Sequence, residues 1–326
     1  AEIEHFVHPE QKEHALFGEI AHVMLSLFSR DAQLGEVKKP FPMSIGEAVE
    51  KGIVANQTLG YFIARTQTFL EKIGVNPARL RFRQHLQHEM AHYAEDCWDA
   101  EIECSYGWIE CVGLADRSAF DLKAHSDKSK VELTAYERYA EPKMVETLVV
   151  EPNKKDMGKA FKKDAKAVTD ALMALCQEDA LALAAKVEAD GKADLAIAGG
   201  GSVEILPGMV KIGMETQKVS GRNFTPSVIE PSFGIGRIMY CMFEHSVYVR
   251  PDDEQKTVFR FSPLIAPIKC TIFPLLNDAG MNELSNVISR ELSANGVSTK
   301  LDTTAVSVGK RYARTDELGV PFAVTV

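Results

Sequence analysis

Ile229-Glu230-Pro231-Ser232-Phe233-Gly234-Ile235-Gly236-Arg237 reads as a strand, a tight turn and the first turn of a helix. Gly234 and Gly236 carry no side chain, so a nucleotide can approach the backbone there closely. Arg237 falls in the first helical turn and stays charged at every useful pH, which suits it to a phosphate. On the Gly-x-Gly-Arg pattern alone, a purely structural turn is the better account. The segment as a whole is more specific.

Downstream of this stretch the pattern alternates. Strand text at 268–275, 296–301 and 321–326 encloses helical text at 280–294 and 307–317, with Asn295-Gly296 as a helix stop. Such βαβαβ text predicts a parallel sheet with crossover helices. Upstream, strand text runs over 203–213 and 143–150. Between them lies a basic run, Lys154, Lys155, Lys159, Lys162, Lys163 and Lys166, followed by helical text at 165–175 and 178–189. Gly199-Gly200-Gly201 closes that segment. The lysines fit a solvated helix face, or else a surface that meets phosphates. Residues 126–142 are polar. Tyr106–113 reads as a strand before a polar turn, Asp116-Arg117-Ser118. Leu16, Ile20, Met24 and Leu27 step by three and four, as do Ile45, Val49 and Ile53, then Leu59, Phe62 and Ile63. This spacing predicts helices over 12–31 and 45–73, and a further amphipathic helix over 81–92.

Composition bounds the class. The 326 residues carry a net charge of −9, with 45% hydrophobic and 25% charged residues. That excludes a mainly disordered chain, a collagen and a disulfide mini-protein, and the length suggests about two domains. No window reaches the ~18 consecutive apolar residues of a membrane span, and the charged opening AEIEHFVHPE is no signal peptide. The six cysteines form no CxxC pair and read as reduced intracellular thiols. From residue 264 on, six positive residues balance six negative ones, so the whole −9 lies in residues 1–263. This charge argues against a uniformly basic nucleic-acid coat. Glu2-Ile3-Glu4-His5-Phe6-Val7 and Val320–326 are strand-like at the very ends, and a strand needs a neighbour for its backbone. Both ends therefore read as cut from a longer protein.

His88-Glu89-Met90-Ala91-His92 is a literal HExxH. On a helix the two histidines would share a face and could bind zinc, with Glu89 as general base. The continuation Tyr93-Ala94-Glu95-Asp96-Cys97 supplies no third histidine, so a hydrogen-bonded polar face is the better account.

The Glu230–237 stretch resembles motif 3 of the class II aminoacyl-tRNA synthetases, in the Glu-Pro-Ser-Phe-Gly form of glycyl-tRNA synthetases of the eukaryotic and archaeal kind. Ala1-Glu2-Ile3-Glu4-His5-Phe6 is similar to the closing strand of motif 2. Arg81-Phe82-Arg83-Gln84-His85, Glu89-Met90-Ala91-His92-Tyr93-Ala94 and Asp96-Cys97-Trp98-Asp99 resemble a family signature, which absorbs the HExxH. Gly107-Trp108-Ile109-Glu110 and Ala115-Asp116-Arg117-Ser118 resemble the strand and turn beside ATP. Gly309-Lys310-Arg311-Tyr312-Ala313-Arg314-Thr315-Asp316-Glu317 is similar to the anticodon-binding domain.

The resemblance implies an α+β fold: an antiparallel sheet flanked by helices, with helical insertions and a truncated α/β anticodon-binding domain. It divides the chain at 1–142 (catalytic core), 143–220 (insertion), 221–263 (core with motif 3) and 264–326 (anticodon-binding domain). It implies a glycine–tRNA ligase, using ATP with Mg²⁺ and partnered by tRNA(Gly), glycine and a second copy of itself through motif 1. Glycine would be held by Glu2, Ile3, Arg117, Glu230, Ser232 and Gly234, since carboxylates grip an ammonium by charge-assisted bonds. ATP would meet Glu110, Cys111, Gly234, Ile235, Gly236 and Arg237, with Glu110 on the Mg²⁺. Glu4, His5 and Asp116 would stand behind these. Lys310, Arg311 and Arg314 would meet tRNA phosphates. Motif 1 and the first strand of motif 2 are not in this text, which implies that the isolated chain forms adenylate poorly. A zinc peptidase and a non-catalytic synthetase-like tRNA-binding module are the alternatives. The module's relatives commonly lose the motif 3 arginine and the acids, which are present here. The reduced thiols fit the cytosol, and one such protein can also serve an organelle.

Overall fold

In the computed structural model, residues 1–91, 94–197, 201–251 and 253–326 are described, with side chains at 253–256 excepted. The chain forms two compact units, one of residues 1–134 with 225–326 and one of residues 135–224.

The first unit is built on a seven-stranded sheet. Its strands are β1 (His5–Val7), β2 (Met24–Phe28), β3 (Phe41–Ser44), β4 (Leu80–Gln84), β5 (Asp96–Cys104), β6 (Gly107–Asp116) and β7 (Ser227–Phe233). Their order is β1-β7-β6-β5-β4-β2-β3, antiparallel throughout except for the β2–β4 pair. One face packs on helix α1 (Gln57–Lys72), which Asn56 caps by accepting from the Leu59 amide. Leu59, Ile63 and Leu70 from α1 meet Leu27, Phe82, Ile102 and Val112 from the sheet in one core. Trp98 is wholly buried there, and its indole nitrogen donates to Asp96 at 2.9 Å, so the ring's one polar atom is paired.

Three expectations need correction. Residues 12–31 are not one helix: a single turn at Phe17–Ile20 precedes strand β2. Leu25 and Leu27 are buried and Met24 is exposed, a period of two that the steps of three and four had masked. Residues 45–73 are two helices, Ile45–Glu50 and α1, parted where Asn56 takes an extended cap conformation. Residues 81–92 hold strand β4 and then a turn, with His92 outside the described residues.

The C-terminal pattern is as read. Strand β8 (Cys270–Phe273) pairs in parallel with β9 (Thr299–Leu301) and with β10 (Phe322–Thr325), and helices α3 (Ala279–Ala294) and α4 (Val308–Glu317) make the crossovers. An intra-sheet apolar strand fits this arrangement, and all four residues of β8 are buried.

The second unit rests on two long antiparallel strands, Ala135–Pro152 and Val210–Phe224, whose ends pair as Ala135 with Phe224 and Pro152 with Val210. Its strand therefore begins within the stretch that reads as polar loop. At the break in register, a Cβ on Gly221 would overlap the Glu137 carbonyl and the Tyr136 ring, so only glycine fits. Helices Lys154–Phe161, Ala165–Met173 and Gln177–Asp190 and the hairpin Ala193–Ile197 with Gly201–Ile205 enclose a separate core around Met157, Val168, Leu172 and Ile205. All six lysines of the basic run are exposed. Gly199 and Gly200 lie outside the described residues. Among the described residues, no helix is long and apolar enough to cross a membrane.

Candidate active site

The face of the sheet opposite α1 carries the candidate residues in two cross-strand rows. Ser232 on β7 lies opposite Gly113 on β6, which lies opposite Asp99 on β5 and then Arg83 on β4. Glu230 lies opposite Ala115 and then Cys97. Side chains two apart share a face, so one short strand sets Glu230 and Ser232 about 7 Å apart along the same surface. Gly113 and Ala115 form a nearly bare floor between them. A Cβ at Gly113 would meet nothing within 4 Å, so packing does not require glycine there.

Pro231 stands between Glu230 and Ser232 and explains how residues 1–4 join the sheet. Its carbonyl accepts from the Ile3 amide at 2.9 Å, but it has no N–H to return. Residues 1–4 are thus held by the isolated Glu2–Ser232 bridge instead of a continuous strand. The Ile3 side chain does not join the glycine-binding candidates. It lines an apolar hollow with Phe62, Phe69 and Phe233, leaving only its backbone at the site.

An acidic pocket of about 280 Å³ opens around Glu230, Glu2, Glu4 and Arg117. Arg117 Nη1 is 3.0 Å from Glu230 Oε2, and its Nε donates to Asp121 at 2.7 Å. Asp121 and His125 also line the pocket, and sequence reasoning missed both. The signal for Asp121 was its place four residues after Arg117, a neighbour on any helix that started there. Four carboxylates, Glu2, Glu4, Asp121 and Glu230, thus share the pocket with one guanidinium, a balance that favours an added cation.

Burial pushes the Glu230 carboxyl above its ordinary range, and Glu2 adds to this against the pull of Arg117. A carboxyl with a raised folded pKa binds its proton more tightly in the native state. Stability from this group therefore falls as pH rises from the ordinary carboxylate value through the raised one. Glu230→Gln should remove that slope. Thermal melts of both proteins between about pH 4 and 7 check it, and parallel curves would count against it.

Beside Ser232 a second cavity, of about 330 Å³, is lined by Glu110, Cys111, Gly234 and Arg237. The Gly234 amide donates to the Cys111 carbonyl at 2.8 Å, which closes the turn from β7 into helix α2 (Ile235–Ser246). A Cβ on Gly234 would lie 3.2 Å from that carbonyl, whereas one on Gly236 would meet open space. Arg237 Nη1 donates to the Glu110 carbonyl at 2.9 Å and lies 3.4 Å from its carboxylate. Both side chains are more than half exposed, at 59% and 55%. The Ile235 side chain is exposed as well. Behind this cavity lie three buried thiols. Cys241 Sγ on α2 is 3.6 Å from Cys111 Sγ, and Cys104, whose thiol is pushed up to about 12 by burial, bonds to Cys241 as well.

Two buried aspartates brace the floor from beneath. Asp116 accepts from Lys12 at 2.8 Å, from Asn56 at 2.8 Å and from the Ser118 amide at 3.1 Å. Ser118 takes a left-handed φ of 52°, so this contact holds the turn that aims Arg117. Asp96 accepts from Gln84 at 2.8 Å and from the Ala55 amide at 3.2 Å. His5 packs edge-on against the Phe62 ring.

The described part of the HExxH is not helical, and His92 lies outside the described residues. His88 and Glu89 stand in a turn, and the Glu89 carboxylate is spent on Arg83 at 2.9 Å and the Leu86 amide at 2.7 Å. Among the described residues, no group of three or more His, Cys, Asp or Glu could hold a metal. In the C-terminal part, Lys310 and Arg314 are exposed, but Arg311 is buried. Its guanidinium donates to the Pro274 and Asp302 carbonyls at 2.8 and 3.1 Å, so it fastens α4 to the strand ends and cannot reach a phosphate.

These features define a class. Residues 269–326 match the family described as "Anticodon binding domain", and they follow an antiparallel sheet with an acidic pocket and a Gly-Arg turn, as in an aminoacyl-tRNA synthetase. Relatives are similar over the rest of the chain as well. The glycine–tRNA ligase of Drosophila melanogaster is 48% identical over 326 residues, covering 100% of this chain and 42% of its own. The mitochondrial glycine–tRNA ligase 1 of Saccharomyces cerevisiae is 47% identical over 327 residues, covering 100% of this chain and 47% of its own. The chain is similar to glycine–tRNA ligases along its whole length, and it spans about half the length of the curated relatives it matches. Among solved structures, a prolyl-tRNA synthetase of Cryptosporidium parvum aligns over 86% of the chain and 40% of its own, at a TM-score of 0.41 and 11% identity.

Proposed function

We propose that this chain carries the glycine pocket and the motif 3 half of the nucleotide site of a glycine–tRNA ligase. The observation that carries the reading is strand β7, which presents Glu230 to the acidic pocket and Ser232 to the Arg237 cavity on one face. In the first reaction the carboxylate of glycine attacks the α-phosphorus of ATP, releasing pyrophosphate. The terminal adenosine of tRNA(Gly) then takes the glycyl group from the adenylate. Neither step needs a protein nucleophile, so the residues act by position and charge. Glu230 and Glu2 grip the ammonium, with Arg117 and Asp121 fixing the direction of Glu230. Arg237 takes a polyphosphate oxygen, and the backbone at Gly234 and Gly236 lies against the adenosine.

Mg²⁺ accompanies ATP and neutralises phosphate charge. A single exposed carboxylate suits a cation that is held mainly by phosphates and water, and Glu110 fits that description. Lys310 and Arg314 are the remaining candidates for tRNA phosphates. Residues 143–220 stand as an insertion between two parts of the catalytic core, and 264–326 as the anticodon-binding domain. The whole protein is a cytosolic homodimer paired through motif 1.

Glycine-dependent ATP–pyrophosphate exchange tests the proposal. The full-length protein should exchange with glycine and not with alanine or serine, and it should charge tRNA(Gly). The isolated 326-residue chain should show no useful exchange. Exchange that is indifferent to the amino acid would sink the glycine reading.

A further inference from the structure

We propose that Cys111 and Cys241 form a redox modification site, in which a small peroxide entering the Glu110–Arg237 cavity joins them as a disulfide and disables the adjoining turn. The geometry is close to what the bond needs. The two sulfurs stand 3.6 Å apart, and a disulfide requires about 2.05 Å, so they must approach by about 1.5 Å. Cys111 belongs to the wall of an open cavity, which gives a water-sized oxidant a path to an otherwise buried residue. Cys241 lies on α2 one turn beyond Arg237, hence on the same stripe of the helix. Cys111 also provides the carbonyl that accepts from Gly234. A bond between the thiols therefore pulls α2 and β6 together at the place where the turn and Arg237 are anchored.

The chemistry balances with hydrogen peroxide as oxidant. Cys111 loses its proton, and the thiolate attacks one peroxide oxygen. The O–O bond breaks, giving a sulfenic acid at Cys111 and a molecule of water. Cys241 then attacks that sulfur, the S–O bond breaks, and a second water leaves with the remaining proton. Two thiols are oxidised and one peroxide is reduced. The roles follow from position: Cys111 lines the cavity that admits the oxidant and Cys241 stands behind it, and their mutual contact lowers the Cys111 thiol and raises that of Cys241. Cys111 is thus the attacking thiolate and Cys241 the resolving thiol. Cys97 is a poorer target, since burial pushes its thiol up to about 11. Cys176 is exposed and serves as an internal control.

The test combines a peptide map with a binding measurement on the full-length protein. After peroxide treatment, the protein is denatured, its free thiols are alkylated, and it is digested without reductant for mass spectrometry. The expected product links the Cys111 and Cys241 peptides. A fluorescent ATP analogue should then bind about 10–100-fold more weakly, with recovery in dithiothreitol. Excess ATP should slow the linkage by filling the cavity. In Cys241→Ala neither the linkage nor the reversible loss should occur. Full alkylation of Cys111 and Cys241 while Cys176 is oxidised would overturn the proposal, as would a linked protein with unchanged ATP binding. The effect on ATP rests on the nucleotide reading above. Reduced protein that binds no ATP analogue would count against that reading and the switch together, whereas the peptide map fails separately.

Discussion

Arg237→Ala should lower glycine-dependent pyrophosphate exchange in the full-length protein by about 10²–10³-fold, the usual cost of losing one preorganised donor to developing charge. The side chain is 59% exposed, and among the described residues it hydrogen-bonds to Glu110. An exposed residue of this kind contributes less than about 0.5 kcal/mol to stability, so the thermal midpoint should scarcely move. That contrast separates a phosphate ligand from a structural arginine. Arg237→Lys keeps a positive charge but loses the planar fork, so it should recover only part of the rate. An alanine variant with unchanged exchange would remove Arg237 from the site.

Asp116→Ala should destabilise the protein by about 3–5 kcal/mol, because it leaves Lys12 in the interior without its buried partner. Asp116 is wholly buried, and the Lys12 side chain is 8% exposed. Glu95 remains 2.6 Å from Lys12, which places the loss toward the lower end of that range. Two further donors, Asn56 and the Ser118 amide, lose their acceptor in the same step. Since Ser118 turns the chain just after Arg117, weaker glycine binding should accompany the loss of stability. Urea unfolding with an unchanged slope would report the first effect, and the Michaelis constant for glycine the second. A shift below about 1 kcal/mol would show that Asp116 is not the keystone of this buried group.

The difference between Arg237 and Arg311 shows what could be read from sequence. Both arginines lie near helix starts in glycine-bearing text, and both suggest phosphate. Arg237 follows a turn closed by Gly234, which leaves it at the surface. Arg311 points toward the carboxyl ends of a parallel sheet, where unpaired carbonyls of Pro274 and Asp302 claim it. Only the packed sheet reveals those carbonyls. The C-terminal βαβαβ text was legible because each element alternates with the next at full length. Residues 12–31 were not, because Leu25 and Leu27 need only two buried positions to make a strand, too few to outweigh a chance helical spacing. The acids at 2 and 230 were singled out through resemblance, and the fold brings both to one pocket. Asp121 was not, since its value comes from the direction it gives Arg117. Glu89 was misleading for the opposite reason: the His-Glu-x-x-His spacing means something only on a helix, and here the chain turns.

The cross-strand pair of Ala135 with Phe224 fixes how the second unit can change over time. Opposed residues in antiparallel strands lie only about 5 Å apart, so 90 residues depart from and return to almost one point. Growth or shrinkage inside that loop of chain leaves the separation of its two ends untouched. Strand β7 has no such freedom. One residue gained or lost between Ser227 and Glu230 would turn the acid through the sheet to the α1 side. The same polypeptide therefore contains a stretch whose length is free to drift and, three residues beyond its end, one in which a single insertion would silence the site.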